Sequence, residues 1–177
     1  MKFGPLTWAT LLSASSAYAK PPSASYEENR YGNGNGTPPG DFNSKCATIA
    51  SKLAVENGVV HFSQFVAAGT NLSLAENDPT CGQTPILVTA DICRIALSVS
   101  TSNHSGFNME AWLPSNWTGR FLSAGNGGLN GCINYADLVY TSALGFSAVG
   151  TNNGHNGTSG KPFYNNSGVV EDFAYRA

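Results

Sequence analysis

Charged side chains are scarce in this 177-residue chain: Asp, Glu, Lys and Arg make up 11%, against about 25% in an ordinary soluble protein. Gly, Asn, Ser and Thr fill the space. With a formal net charge of -2 there is no electrostatic footprint for nucleic acid or for an anionic membrane surface, and both partners are excluded. Beyond the first nineteen residues, no run approaches the ~20 apolar residues that a membrane span needs. No C-x-x-C pair occurs, and no histidine has metal-ligand spacing to another His, Cys or Asp, so no metal site is expected. Also missing is any G-x-S-x-G elbow, or another Ser or Cys in a comparable context, that would present a nucleophile. No internal repeat is visible.

The amino terminus is informative. Lys2 gives a positive start, Phe3 to Ala14 is mostly apolar, and Ala17-Tyr-Ala19 is an A-x-A cleavage site. This predicts a signal peptide over residues 1–19, a secreted extracellular protein, and Lys20 as the first mature residue. Four cysteines remain after cleavage, Cys46, Cys81, Cys93 and Cys132, an even number in an oxidising compartment. Six Asn-x-Ser/Thr sequons, at Asn35, Asn71, Asn103, Asn116, Asn156 and Asn165, are glycosylation candidates, some of them expected to stay unused.

Residues 20–42 hold Pro21-Pro22, Asn33-Gly-Asn-Gly36 and Pro38-Pro-Gly40 and read as a flexible lead-in. Asn43 or Ser44 can cap a helix running to about Asn57, with Gly58 just past its end. Cys46, Ile49, Ala50, Leu53 and Ala54 then share its packing face. Val59 to Ala67 is β-prone, and Asn77 to Gly82 is a turn carrying Cys81. Ile92 to Val99 alternates, with Cys93, Ile95, Leu97 and Val99 on the buried face and Arg94, Ala96 and Ser98 on the other. A buried helix cysteine and a buried strand cysteine favour Cys46–Cys93 among three possible connectivities, which leaves Cys81–Cys132. Strands follow at Phe107–Leu113, Arg120–Ala124 and Phe146–Val149, with a helix from Tyr135 to Leu144 crossing between the last two. That spacing suits a parallel β-α-β unit. Ser167 to Ala177 has helical spacing of Val169, Val170, Phe173, Ala174 and Ala177. It stops without a cap, as a fragment of a longer product would.

The segment around which the rest is organised is Gly125-Asn-Gly-Gly-Leu-Asn-Gly131, four glycines in seven residues at the carboxyl end of a strand. Ligands usually sit at that position in α/β sheets. One reading is a tight turn. The functional one is that Gly127 and Gly128 bring backbone N–H groups to a ligand oxygen, as an oxyanion hole requires. Phosphate binding fits poorly, because G-x-G-x-x-G and the P-loop lysine are both missing. Asn126 and the loop Asn152-Asn-Gly-His155 would share this rim. His155 reads first as a surface-turn histidine, with substrate contact or loop ordering as the alternatives, and no acid stands near it to make it a base. His61 and His104 carry less signal. Trp112, Trp117 and Tyr135 read as core or sheet-covering residues.

Together, Phe107-Asn-Met-Glu-Ala-Trp-Leu-Pro114, Trp117-Thr-Gly-Arg-Phe-Leu122, Gly125-Asn-Gly-Gly128, Gly145-Phe-Ser-Ala-Val-Gly150, Asn153-Gly-His155 and Val170-Glu-Asp-Phe-Ala-Tyr-Arg176 resemble the fungal tannase/feruloyl esterase family. The likeness runs from about Cys46 to Ala177. It implies an α/β-hydrolase fold, a mixed or parallel sheet with flanking helices, of which residues 43–177 would be an incomplete amino-terminal part. It further implies a Ser-Asp-His triad, a calcium-binding lid, and a disulfide joining the cysteine beside the serine to one beside the histidine. The implied activity is hydrolysis of aromatic carboxylic esters, feruloyl or galloyl, of plant cell wall polysaccharide or tannins. Only Gly127 and Gly128 match a functional position. The triad, the lid and the calcium ligands are expected beyond Ala177, so the 177-residue chain itself is expected to be inactive. The alternative from a different class is a non-catalytic secreted glycoprotein that binds glycans or a surface through aromatic and Asn-rich loops.

Overall fold

The computed structural model describes residues 39–74, 77–82 and 85–177. The expected signal peptide, the lead-in as far as residue 38 and the sequon at Asn35 lie outside the described residues. In chain order the elements are α1 (Pro39–Ala47), α2 (Ile49–Lys52), β1 (Gly58–Val66), β2 (Asn71–Leu72), β3 (Ile86–Leu87), β4 (Ile92–Ser100), β5 (Gly106–Pro114), β6 (Arg120–Ala124), α3 (Tyr135–Ala143), β7 (Phe146–Thr151) and α4 (Ser167–Glu171). No helix among the described residues is long and apolar enough to cross a membrane.

Five strands form one mixed sheet in the order β1-β4-β5-β7-β6, and β2 pairs with β3 apart from it. β1, β4, β5 and β7 are joined by antiparallel ladders. β6 and β7 run parallel, Arg120 beside Phe146 through Ala124 beside Gly150, as the crossover helix between them requires. β6 is an edge strand: among the described residues no strand pairs with its outer side, and Phe121 stands largely exposed on it.

Helices cover both faces. α3 packs Tyr135 and Leu138 with Trp112, Ile92, Val88 and Ala148. On the opposite face α1 brings Cys46 to Cys93, Ile95 and Leu97, where the disulfide Cys46–Cys93 closes with Cα atoms 5.5 Å apart. Burying each large apolar side chain in these two layers contributes about 1.5–3 kcal/mol. A second disulfide, Cys81–Cys132, ties a 3₁₀ turn (Pro79–Cys81) to the glycine segment after β6.

Several elements differ from the reading of the sequence. The first helix starts earlier, at Pro39, inside the segment read as a lead-in, because proline is well placed in a first helical turn. It also ends earlier. At Thr48 both the amide and the hydroxyl turn back to the Lys45 carbonyl, which breaks the helix into two. After Lys52 the backbone extends, so Leu53 and Ala54 leave the packing face. Asn57 takes the left-handed turn (φ 55°) and Gly58 opens β1. The mixed pattern of β1 has a cause: the register slips between Val60 and Phe62, which leaves His61 exposed on the irregularity. β4 does not have one open face, since Arg94 is buried alongside Cys93 and Ile95. Trp117, read as a covering residue, is 59% exposed and donates its indole N–H to the Arg120 carbonyl instead. The terminal helix is regular only to Glu171. Asp172–Arg176 widens into a π-turn that buries Asp172 and leaves Val170, Ala174 and Ala177 outside.

Candidate functional site

The parallel pair β6 and β7 delivers two loops to the same end of the sheet. Asn126, first in line after Gly125, donates through Nδ2 to the Thr151 carbonyl at 2.9 Å, which fixes the glycine loop to the last residue of β7. Farther along, the amide of Gly131 donates to the Gly157 carbonyl at 2.8 Å, and Cys132 enters its disulfide. Between these fastenings stand Gly127 and Gly128. Both are exposed, and neither amide N–H is engaged by another group among the described residues; Gly127 only accepts, from the Asn130 amide at 3.2 Å. Gly128 has φ 59°, a left-handed conformation that explains glycine at that position.

His155 is not a surface-turn residue. It is 5% exposed, with Nε2 3.1 Å from the Leu129 carbonyl and its ring edge-on to Phe163 and Phe173. The positive φ of Asn153 and Gly154 folds the loop back sharply enough to place it there. Gly131 is required on the other side: a Cβ at that residue would lie 2.4 Å from the His155 carbonyl oxygen and 2.8 Å from its ring. His155 therefore orders the glycine loop from beneath. Asn152 completes the join, its Oδ1 accepting from the Asn108 amide and its Nδ2 donating to Asn156. Thus Asn126, Gly127 and Gly128 lie along the loop after β6, and His155 is buried against that loop rather than on its rim. His104 lies exposed in a turn elsewhere. The sequon residues Asn71, Asn103, Asn116, Asn156 and Asn165 are all exposed.

The sequence reading missed a buried polar centre beneath this rim. Glu110 accepts from Arg94 Nε at 2.6 Å and Nη2 at 2.5 Å, from Tyr135 Oη at 2.6 Å and from Trp112 Nε1 at 2.9 Å. Both charged side chains are 4% exposed. Burial foremost, then the adjacent Glu110 charge and hydrogen bond, push the Tyr135 phenol far above its usual range. The detectable signal was Glu110 and Trp112 on one face of β5, with Arg94 directly across from Trp112 in register. At the periphery, the Thr80 hydroxyl and amide hold the Asp78 carboxyl below its ordinary value. Among the described residues no group of three or more His, Cys, Asp or Glu side chains could hold a metal ion.

Comparison with known proteins places this geometry. Residues 93–177 match the family model described as tannase and feruloyl esterase. A probable feruloyl esterase B-2 of Aspergillus fumigatus is 57% identical over 136 residues, and the feruloyl esterase C of Talaromyces stipitatus is 52% identical over 137. Each alignment covers 77% of this chain and 26% of the relative, so the chain spans about a quarter of their length. Among solved structures, feruloyl esterase B from Aspergillus oryzae superposes with a TM-score of 0.74 at 54% identity, over 76% of this chain and 27% of that one. An esterase from the same organism gives 0.74 at 57% identity. The mixed sheet with flanking helices is therefore part of an α/β-hydrolase fold. Residues 93–177 thus carry the pattern of the tannase and feruloyl esterase family.

Proposed function

We propose that this chain is part of a secreted carboxylic ester hydrolase acting on aromatic esters, feruloyl or galloyl, of plant cell walls or tannins. The observation that carries the reading is the pair of unengaged N–H groups at Gly127 and Gly128, held at the carboxyl end of β6 by fastenings on both sides. Donors fixed in advance stabilise charge that develops on a carbonyl oxygen, because no reorganisation is needed when it forms. In the proposed mechanism a serine attacks the ester carbonyl, a histidine carries its proton to the leaving alcohol, and the glycine loop holds the oxyanion. No residue of this chain takes the role of nucleophile or base; those belong to the longer enzyme, as does calcium in its lid. Two disulfides and the exposed sequons suit an extracellular glycoprotein.

The test is a chimera in which residues 93–177 replace the matching segment of the Aspergillus oryzae feruloyl esterase B. It should hydrolyse methyl ferulate, and Gly127→Val within it should lower kcat about 10²–10³-fold, because the isopropyl group would keep the carbonyl oxygen away from the backbone N–H and so deprive the site of one such donor. Because a Cβ at Gly127 meets nothing within 4 Å, the thermal midpoint should hold. An unchanged kcat ends the oxyanion assignment. Turnover of methyl ferulate or methyl gallate by the 177-residue chain alone refutes the placing of the nucleophile outside it.

A further inference from the structure

A cavity of about 350 Å³ is lined by residues of β1, β4 and β5, by the Pro79–Cys81 turn, and by the loops that follow β6 and β7. That lies within the ~300–1,000 Å³ of small-molecule sites. The tip of the glycine loop takes no part in it. Apolar contact comes from Phe62, Ala96, Ile133 and the Cys81–Cys132 disulfide, while Asn77, Asn108, Asn152 and Asn156 supply carboxamides.

The polar groups restrict what could bind. Glu110 reaches the lining, but Arg94, Tyr135 and Trp112 occupy both its oxygens. Among the described residues no Lys or Arg lines the cavity, so an anion would find no counter-charge from them. Among the described residues Asp78 is the other lining carboxylate, with one oxygen already accepting from Thr80, too little to hold a metal ion. What remains is neutral and two-sided. The Asn108 carboxamide and the His61 imidazole make no hydrogen bond within the described residues, and Asn156 Nδ2 is uncommitted because only its oxygen is used. Asn77 Nδ2 is buried without a partner among the described residues. An unmet buried donor is unfavourable, and an acceptor from a ligand would relieve it. Carboxamides combine N–H donors and a carbonyl acceptor in one plane, the complement of neighbouring hydroxyls.

We propose that this cavity is a binding site for a neutral sugar ring, its hydroxyls taken by Asn77, Asn108 and Asn156 and its C–H face lying on Phe62 and Ile133. The site would serve a carbohydrate-acting hydrolase and a non-catalytic binder alike, so it does not rest on the esterase reading.

The experiment is saturation-transfer difference NMR on the full chain, secreted from a host that does not N-glycosylate, so that Asn156 at the rim stays bare. The probes are L-arabinose, D-xylose and D-galactose at millimolar concentration. Transfer to the ring protons of at least one sugar is expected. Asn108→Ala, whose lost side chain holds nothing else in place, should weaken that binding at least tenfold with the near-ultraviolet circular dichroism unchanged. Absence of transfer from all three sugars overturns the proposal. So does equal binding by the Asn108→Ala variant, or free ferulate binding with the same dependence on Asn108.

Discussion

Replacing Glu110 by glutamine tests the buried polar centre most directly. Glutamine keeps the shape but removes the charge and turns one acceptor into a donor. In this structure that donor must face either the Arg94 and Tyr135 pair or the Arg94 and Trp112 pair, since each carboxylate oxygen already receives two donors. Arg94, at 4% exposure, loses the charge that receives its Nε and Nη2 donors. Breaking one side of a buried pair costs about 3–5 kcal/mol. With a urea slope near ~2 kcal/mol/M, the unfolding midpoint should fall by roughly 1.5–2.5 M. Trp112 touches the carboxylate itself, so tryptophan fluorescence reports the transition at the site of the change. The double substitution Arg94→Met with Glu110→Gln supplies the control, because it removes both charges yet keeps a carboxamide for Trp112 and Tyr135, and it should restore part of the loss. A midpoint shift below about 0.5 M in the single variant, or an equal loss in the double variant, would show that shape and not charge pairing sets the stability here.

Other consequences are simpler to state. Tyr135 binds its proton more tightly folded than unfolded, so its contribution should be complete below pH ~10, where free phenols begin to ionise, and decline above it. An ultraviolet titration of the tyrosines should show Tyr135 absent until the chain unfolds. Under mild reduction Cys81–Cys132, which has the partly exposed Cys81, should open before Cys46–Cys93, whose sulfurs are buried; mass-tag alkylation reads the order, and the reverse order contradicts the burial argument. Removing Cys46–Cys93 should then cost on the order of 4 kcal/mol for a loop of 47 residues. Gly131→Ala should displace His155 and lower the thermal midpoint, whereas Gly127→Ala should not, because only the first Cβ would collide.

Strand and helix positions from Ile92 to Thr151 were legible because each has a clear period and a turn at either end. The cysteine pairing was legible for a related reason, since two buried faces had to meet. What escaped the sequence depends on contacts between distant segments. Thr48 interrupts a well-patterned helix through its own hydroxyl, a local competition that apolar spacing does not register. Arg94 looked like an outward residue because alternation cannot tell that α3 covers the second face. His155 looked superficial because its burial is created by Phe163, Phe173 and Gly131, none of them adjacent to it in the chain. That the two loops lie side by side, by contrast, followed from one topological fact, that β6 and β7 are parallel neighbours.

The fastening of the glycine loop has a consequence for how such a surface can be varied. Asn126, His155 and the Cys132 disulfide clamp its ends, so disturbance there spreads into β7 and the 3₁₀ turn. Gly127 stands clear of every neighbour, and Gly128 is limited only by its own backbone angle. Editing the loop is thus a one-residue problem. A side chain introduced at residue 127 would leave the frame around it unchanged while screening the N–H groups that the loop presents.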